Sequence, residues 1–450
     1  MEAEWCDQWD QSVEGFWASL VGVQEFSATQ RLQLHLPLSS EYGGCGVQSA
    51  RWRREAAFLG SWHLCLGAVA AALRFTSADQ LLAAGERSVR APLNDAATFI
   101  RDLVPGYSFM ASVLFEEPDP KRQSELMEGV HAAKEKELHA ALWLEDPTGD
   151  EVAEAYSSGG PHAGDFLLPP LPGAPGDKVL MMPEDEFVTA WRARLRVPFP
   201  SFLPRFRRVR GPAQQCNHQY SSGSAICGHS LQRADGSADA KMVHPQLCNV
   251  GGGVDRRHNS LRDWVKGWLL SECHATSADA EQHVPAWDRW VQAKCAVTGA
   301  PQFRTVQTAA GAVQEPVQVL ERAVLDVAFR DAEGSEGYVD VAYTNACTLG
   351  DPSVTLARAR TAGKAASERE DQKRQRYPPE LNPCVELIPL VVEARGRLGA
   401  EVLPFLQQHA PAEAPLRSVV LARATRDISI ITQRGLAALL LAAEPRPLVV

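Results

Sequence analysis

At 450 residues, 45% hydrophobic and 22% charged, the chain can build two or three cored domains and is too apolar for wholesale disorder. The longest uninterrupted apolar runs, 64–73 and 435–443, are too short to cross a bilayer, so no membrane is expected as a partner. The acids Glu2, Glu4, Asp7 and Asp10 argue against a leader peptide, and ten cysteines without a secreted-domain spacing point to an intracellular setting, nuclear or cytoplasmic.

Residues 1–145 show helical periodicity with few breakers, including an alanine-rich apolar stretch at 56–73. Residues 146–189 read as a linker because Gly and Pro recur in Gly159-Gly160-Pro161, Pro169-Pro170 and Pro172-Gly173. Towards its end a short helix is expected over 183–196, with acids at its start and arginines at its end to match the helix dipole. Residues 190–255 are basic and rich in Cys, His and Gly. From 256 to 405 the pattern is helix, strands, helix, strand, the alternation of an α/β domain. Residues 406–450 predict C-terminal helices, and no internal repeat is present.

The net charge of −10 averages over unlike regions. Residues 190–262 carry twelve Lys/Arg against Asp235, Asp239 and Asp255, a net of +9, which leaves −19 for the rest. Such separation permits a local phosphate-facing surface on an acidic protein; a solvated charged loop is the plainer reading.

Cys216, Cys227, His244 and Cys248 fall in a segment with little apolar material, where a metal staple is a common substitute for a core. The His-x3-Cys end suits one zinc ion. The Cys-x10-Cys start is wide, and His218 and His229 compete as ligands. Free thiols and surface histidines are the alternative from spacing alone.

Cys248 leads into Asn249-Val250-Gly251-Gly252-Gly253 and then Arg256-Arg257-His258-Asn259, with Leu261-Arg262-Asp263 following. A Cys/His knuckle, glycines and an Arg-His-Asn-x-Leu-Arg-Asp helix start resemble the C-terminal region of non-LTR retrotransposon proteins with a restriction-enzyme-like endonuclease. The segment 36–50 also resembles the stretch after the reverse-transcriptase thumb in those proteins. The resemblance spans about residues 30–405. It implies a PD-(D/E)xK endonuclease core with a central mixed sheet flanked by helices at 256–405, behind a structural zinc knuckle and a helical N-terminal region. Polymerase activity does not carry over, because no Asp-Asp pair occurs anywhere in the chain.

Metal-assisted phosphodiester cleavage needs paired carboxylates. Two strand-like runs, 324–329 and 338–343, carry Asp326 and Asp340 on either side of a polar, glycine-bearing turn. Pairing symmetric about Glu333 places the two acids opposite each other, with Cβ atoms about 5 Å apart, where Mg²⁺ or Mn²⁺ would relieve their repulsion. The competing reading makes one of them a strand-edge polar residue.

Family enzymes usually place a lysine two residues after the second acid, which here is Ala342. The resemblance implies instead the Lys-x-x-x-Tyr arrangement on the following helix, matched by Lys373 and Tyr377. Positions 356, 359, 363, 366, 370, 373 and 377 form one stripe of an unbroken helix, whereas Lys364 lies half a turn away from Lys373. The plain alternative makes Lys373 one charge in a solvated run. Glu393, ending a buried strand over 385–392, is a candidate supporting acid, and Glu281 resembles the acid of the family's first core strand. Arg256, Arg257, His258 and Arg262 are candidate nucleic-acid contacts, with Asn259 a helix cap.

The resulting expectation is a metal-dependent endodeoxyribonuclease that nicks DNA, acts on DNA with RNA as a second candidate, and takes structural Zn²⁺. An inactive nucleic-acid-binding relic is the alternative. An acidic structural protein with coincidental motifs would show no metal dependence.

Overall fold

The computed structural model describes residues 3–21, 30–104, 107, 121–168, 180–197, 215–220, 225–231, 243–295, 300–308, 311–348, 350–383 and 385–443. Helices α1 (Ala3–Val21), α2 (Gln30–His35), α3 (Ala50–Ala72), α4 (Ala78–Ala84), α5 (Ala91–Leu103) and α6 (Arg122–Glu145) build the first region, as its periodicity predicts. On α3, Ala56, Leu59, Gly60, His63, Leu66 and Ala70 recur at helical steps and are buried, packing with Leu93, Ala96 and Ile100 of α5 and Leu126 and Val130 of α6. A Cβ on Gly60 would stand 2.7 Å from that of Gln123, so α3 and α6 approach closely. Asp10 of α1 caps α3, accepting from the Ser49 hydroxyl and the amides of Ala50 and Arg51. By length and composition α3 is apolar enough to cross a bilayer. One face of it is buried against α5 and α6, as in the core helix of a helical bundle.

Part of the expected linker is packed structure. Helix α7 (Asp150–Ser158) is buried along nearly its whole length, including Glu151 and Glu154. Glu151 pairs with Arg196, and Glu154 with Arg395, across 241 residues of sequence. The residues 169–179 of that span lie outside the described ones. Helix α8 (Glu184–Arg194) forms where its acid-to-arginine polarity places it, but Arg192, Arg194 and Arg196 at its end are buried. Arg194 donates to the carbonyls of Ser40 and Gly44, so the 36–46 segment closes around its guanidinium. This half of the described basic segment faces protein instead of phosphate; residues 198–214 and 232–242 lie outside the described ones.

Helices α9 (Val243–Leu247) and α10 (Gly253–Ser271) lead into eight strands. These are β1 (Ser277–His283), β2 (Arg289–Gln292), β3 (Phe303–Thr308), β4 (Gly311–Pro316), β5 (Gln318–Glu321), β6 (Val324–Arg330), β7 (Glu336–Thr344) and β8 (Glu386–Glu393). The central mixed sheet has the order β1-β6-β7-β8, antiparallel except for the parallel β7–β8 pair. That parallel pair needs a crossover, supplied by α11 (Pro352–Arg358) and α12 (Lys364–Arg376). After β8 come α13 (Val402–His409) and α14 (Ala414–Ala443).

Side chains alternate across the sheet. Val327, Val339, Val341, Leu390 and Val392 face α10, α13 and α14, whereas Ala342 and Val391 meet Ala366 of α12. Helices therefore flank both faces of an α/β domain. Phe405 and Leu406 of α13 belong to this core, so a domain boundary at 405 divides one of its helices. The single helix expected over 356–377 is two: Gly363 adopts φ 75°, in the left-handed region that favours glycine, and ends its continuity. The stripe from 356 to 363 is thus not continuous with that from 366 to 377.

Candidate active site and metal cluster

The β6–β7 ladder runs from Arg330↔Glu336 to Val327↔Val339, the register symmetric about Glu333, so Asp326 and Asp340 occupy the next rung. There the Val341 amide donates to Asp326 Oδ2 at 2.7 Å, and the Asp326 side chain takes over a backbone partner. His258 Nε2 lies 2.8 Å from Asp326 Oδ1. Asp340 is buried and receives Lys373 Nζ at 2.7 Å. The two carboxyls interact directly, and the repulsion between their charges opposes ionising both.

The two acids are driven apart in acidity. Burial pushes Asp340 up to about 6, aided by the Asp326 charge and opposed by Lys373. Burial also pushes Asp326 upward, but its His258 hydrogen bond, its bond to Asp340 and the Lys373 charge outweigh that and hold it below the usual range. Ionising the buried Asp340 beside the Asp326 charge is therefore unfavourable in the metal-free protein, and paired carboxylates of this kind are donors that a hard divalent cation can take.

Lys373 and Lys364 share α12, so the half-turn separation between them holds despite the upstream break. Lys373 reaches Asp340; Lys364 is turned outward, 3.5 Å from Glu368. Tyr377 follows α12, packs 5.6 Å from the Trp287 ring and is pushed up to about 12 by burial and the nearby Asp340 charge, which keeps its hydroxyl neutral.

Other expected residues fall elsewhere. Glu393 pairs with Thr344, four rungs or about 13 Å along the ladder from Asp340. It is buried, accepts the Ala366 amide at 3.1 Å and lies near the Arg397 charge, so it anchors the start of α12 instead of supporting the carboxylate pair. Glu281 fills the rung opposite Asp326, between Ala280↔Val327 and Gln282↔Leu325. Its φ of 57° breaks the strand locally, and its exposed carboxylate is paired with Arg262. The strain of a non-glycine residue there has no counterpart in the sequence pattern.

Arg257 is corrected as a surface contact: it is buried, stacked 4.3 Å over the Tyr343 ring and packed on Gly435. Arg256 is exposed and donates to the Gly251 carbonyl. Sequence reasoning placed His258 on phosphate; its bond to Asp326, 68 residues away, left no local signal.

The second site gathers Cys216, Cys227, His244 and Cys248, whose ligand atoms all lie within 4.8 Å of one another. Two antiparallel bridges, Gln215↔Ser230 and Gln219↔Ile226, fold the chain back so that Cys216 and Cys227 meet despite their wide spacing. His244 lies on α9 and Cys248 just after it. Burial lowers His244 to about 4, with the histidines beside it adding to the effect, so its imidazole is neutral and able to ligate. Burial raises the Cys216 and Cys248 thiols, a penalty that a cation would remove. The clustered ligand atoms do not include those of His218, whose Nε2 donates to the Leu439 carbonyl of α14 at 2.7 Å, or of His229, whose ring stacks 3.9 Å from that of His244. Three thiols and one imidazole can hold a metal such as zinc. Neither protein-family models nor curated proteins match this chain.

Proposed function

We propose that this chain is a metal-dependent DNA endonuclease that nicks duplex DNA, of the kind found at the C-terminus of non-LTR retrotransposon proteins. The observation that carries the reading is the buried Asp340 carboxyl, held by Lys373 on the rung next to the Val327↔Val339 pair, where Asp326 lies opposite it. Asp326 and Asp340 would hold Mg²⁺ or Mn²⁺, which supplies charge neutralisation at the scissile phosphate and acidifies a water. Lys373 orients that water or balances phosphate charge once Asp340 is engaged elsewhere. His258 fixes Asp326 from α10, and Tyr377 closes the inner side of the site. Hydrolysis forms a bond from the water oxygen to phosphorus and releases the 3′-oxygen as a hydroxyl, which in the resembled family primes DNA synthesis. The Cys/His cluster, with Zn²⁺ bound, would order the segment preceding α10 and position nucleic acid without selecting sequence.

Incubation with supercoiled plasmid should yield open circles in Mg²⁺ or Mn²⁺ and none in EDTA. Intact plasmid at every metal concentration, with duplex still bound, would leave the inactive binding protein as the correct reading.

The two lysines of α12 make a matched comparison. Lys373→Ala should lower nicking at saturating metal by about a hundredfold or more, the scale of a preorganised charge contact. Lys364→Ala should stay within about twofold, since an exposed pair with Glu368 contributes little. A reversed order would displace the lysine assignment.

A further inference from the structure

Strands β2 to β5 leave the central sheet between His283 and Val324 and form two paired ribbons, β2–β5 and β3–β4. The ribbons are continuous: Ala293 donates to the Val317 carbonyl, while Gln302 and Val317 donate to the carbonyls of Ala293 and Gln302. Among the described residues, little of the chain covers them. Trp290 is 68% exposed and Phe303 57%, with Val313, Val319 and Leu320 also exposed. A two-stranded ribbon with both faces in water is marginal by itself, which marks a surface built for contact.

The faces of β3–β4 differ. Register places Phe303, Thr305, Gln307 and Gln314 on one face, all exposed and without a single charge. Arg304, Val306, Val313 and Glu315 lie on the other, with Arg304 and Glu315 paired. The root is held rigidly to the catalytic helix. Arg376 at the end of α12 donates to the Trp287 carbonyl at 2.7 Å and reaches Glu321, and Trp287 Nε1 donates to the Pro378 carbonyl.

We propose that the β3–β4 ribbon grips duplex DNA beside the carboxylate pair, entering a groove with the face of Phe303, Thr305, Gln307 and Gln314. The substrate's identity rests on the nuclease reading. Three observations favour this occupant. The β2–β5 ribbon that carries it ends at Glu321, five residues before Asp326, and β4 ends at Pro316, ten residues before it, so the ribbon projects from the edge of the carboxylate site. Its length of six residues, about 20 Å, matches a duplex diameter, and a major groove admits a two-stranded ribbon. Between 289 and 322, Arg289, Lys294, Arg304 and Arg322 outnumber Glu315 and Glu321, a net of +2 on a chain of −10. Amide and hydroxyl side chains on an uncharged face, flanked by cations, suit base edges between phosphates. A second copy of the chain fits less well, because the exposed apolar residues are divided between the faces.

The test uses the full chain with Thr305→Glu, Gln307→Glu and Gln314→Glu combined, and an alanine version at the same exposed positions. Fluorescence anisotropy without added Mg²⁺ or Mn²⁺, and without a chelator that would strip the Cys/His cluster, measures binding to a labelled blunt duplex, and plasmid nicking is read separately. The glutamate variant should weaken Kd about tenfold or more, and the alanine variant less. Nicking at subsaturating DNA should fall in step with the loss of binding. An unchanged Kd, with wild type binding and nicking, overturns the ribbon and spares the nuclease. Ribbon-dependent binding without nicking overturns the nuclease and spares the ribbon. Wild type that fails to bind duplex overturns both, and a wild-type dimer dissociated by the variant at unchanged Kd assigns the ribbon to a second copy.

Discussion

Asp340→Asn should abolish nicking and, in the same molecule, stabilise the metal-free protein. Asp340 is buried and held at about 6 against an ordinary value of 3.8, even with Lys373 beside it. The folded chain therefore binds this proton more tightly than the unfolded one. Stability from the site is full below about pH 4 and is lost as pH rises through about 6. At neutral pH the ionised carboxylate costs on the order of 1–3 kcal/mol, which a neutral amide of the same shape avoids. Melting of the variant at pH 7.5, with no added Mg²⁺ or Mn²⁺ and no chelator, should come a few degrees above wild type, and the gap should close toward pH 4. Nicking should fall by about a thousandfold or more, since the metal loses a charged ligand. A variant that melts lower at neutral pH and higher at acidic pH would show that Lys373 outweighs burial. Saturating Mg²⁺ should reverse the order of melting, because the cation stabilises only the chain that keeps both carboxylates.

What the sequence revealed and concealed follows the range of each interaction. The Asp326–Asp340 rung was legible because a symmetric hairpin turn sets register locally, and Lys373 because helical angle is a short-range property. The Cys/His set was legible in identity, but only the two bridges explain how eleven positions of chain bring Cys216 back to Cys227. By contrast, α7 looked like linker because its acids are satisfied by Arg196 and Arg395, which local composition does not reveal. Glu393 looked catalytic because it ends a buried strand, yet the Ala366 amide binds its carboxylate at the start of α12. Arginine content at 192–196 and 257 suggested a phosphate surface, whereas those guanidiniums hold carbonyls, a carboxylate and an aromatic ring inside the molecule.

Loss of the Cys/His metal should have the largest structural effect. The purified chain should carry about one zinc, and Cys248→Ser should carry none or bind it far more weakly. The cluster shares its packing with α14: Cys216, Leu231 and Cys248 contact Leu436, Leu440 and Ala443. Asn217 and His218 add hydrogen bonds to the Ala443 and Leu439 carbonyls. α14 in turn packs on α10, which carries His258. Without the cation, three crowded thiols and a stacked imidazole have no charge to hold them together, so this segment should open first and expose the end of α14. A structural zinc contributes several kcal/mol or more to such a segment, so limited proteolysis near 216–248 should accelerate strongly in Cys248→Ser and in chelator-treated wild type. Nicking should decline with it, through α10. The histidines separate metal loss from general damage. His218→Ala removes a bond to α14 but no ligand, and His229→Ala removes a ring stacked on His244, so both should retain zinc. Zinc lost in His229→Ala and kept in His244→Ala would replace the ligand set, and zinc kept in Cys248→Ser would remove that cysteine from it. Apparent zinc affinity should also rise steeply with pH across the neutral range, because binding displaces protons from thiols that burial keeps protonated.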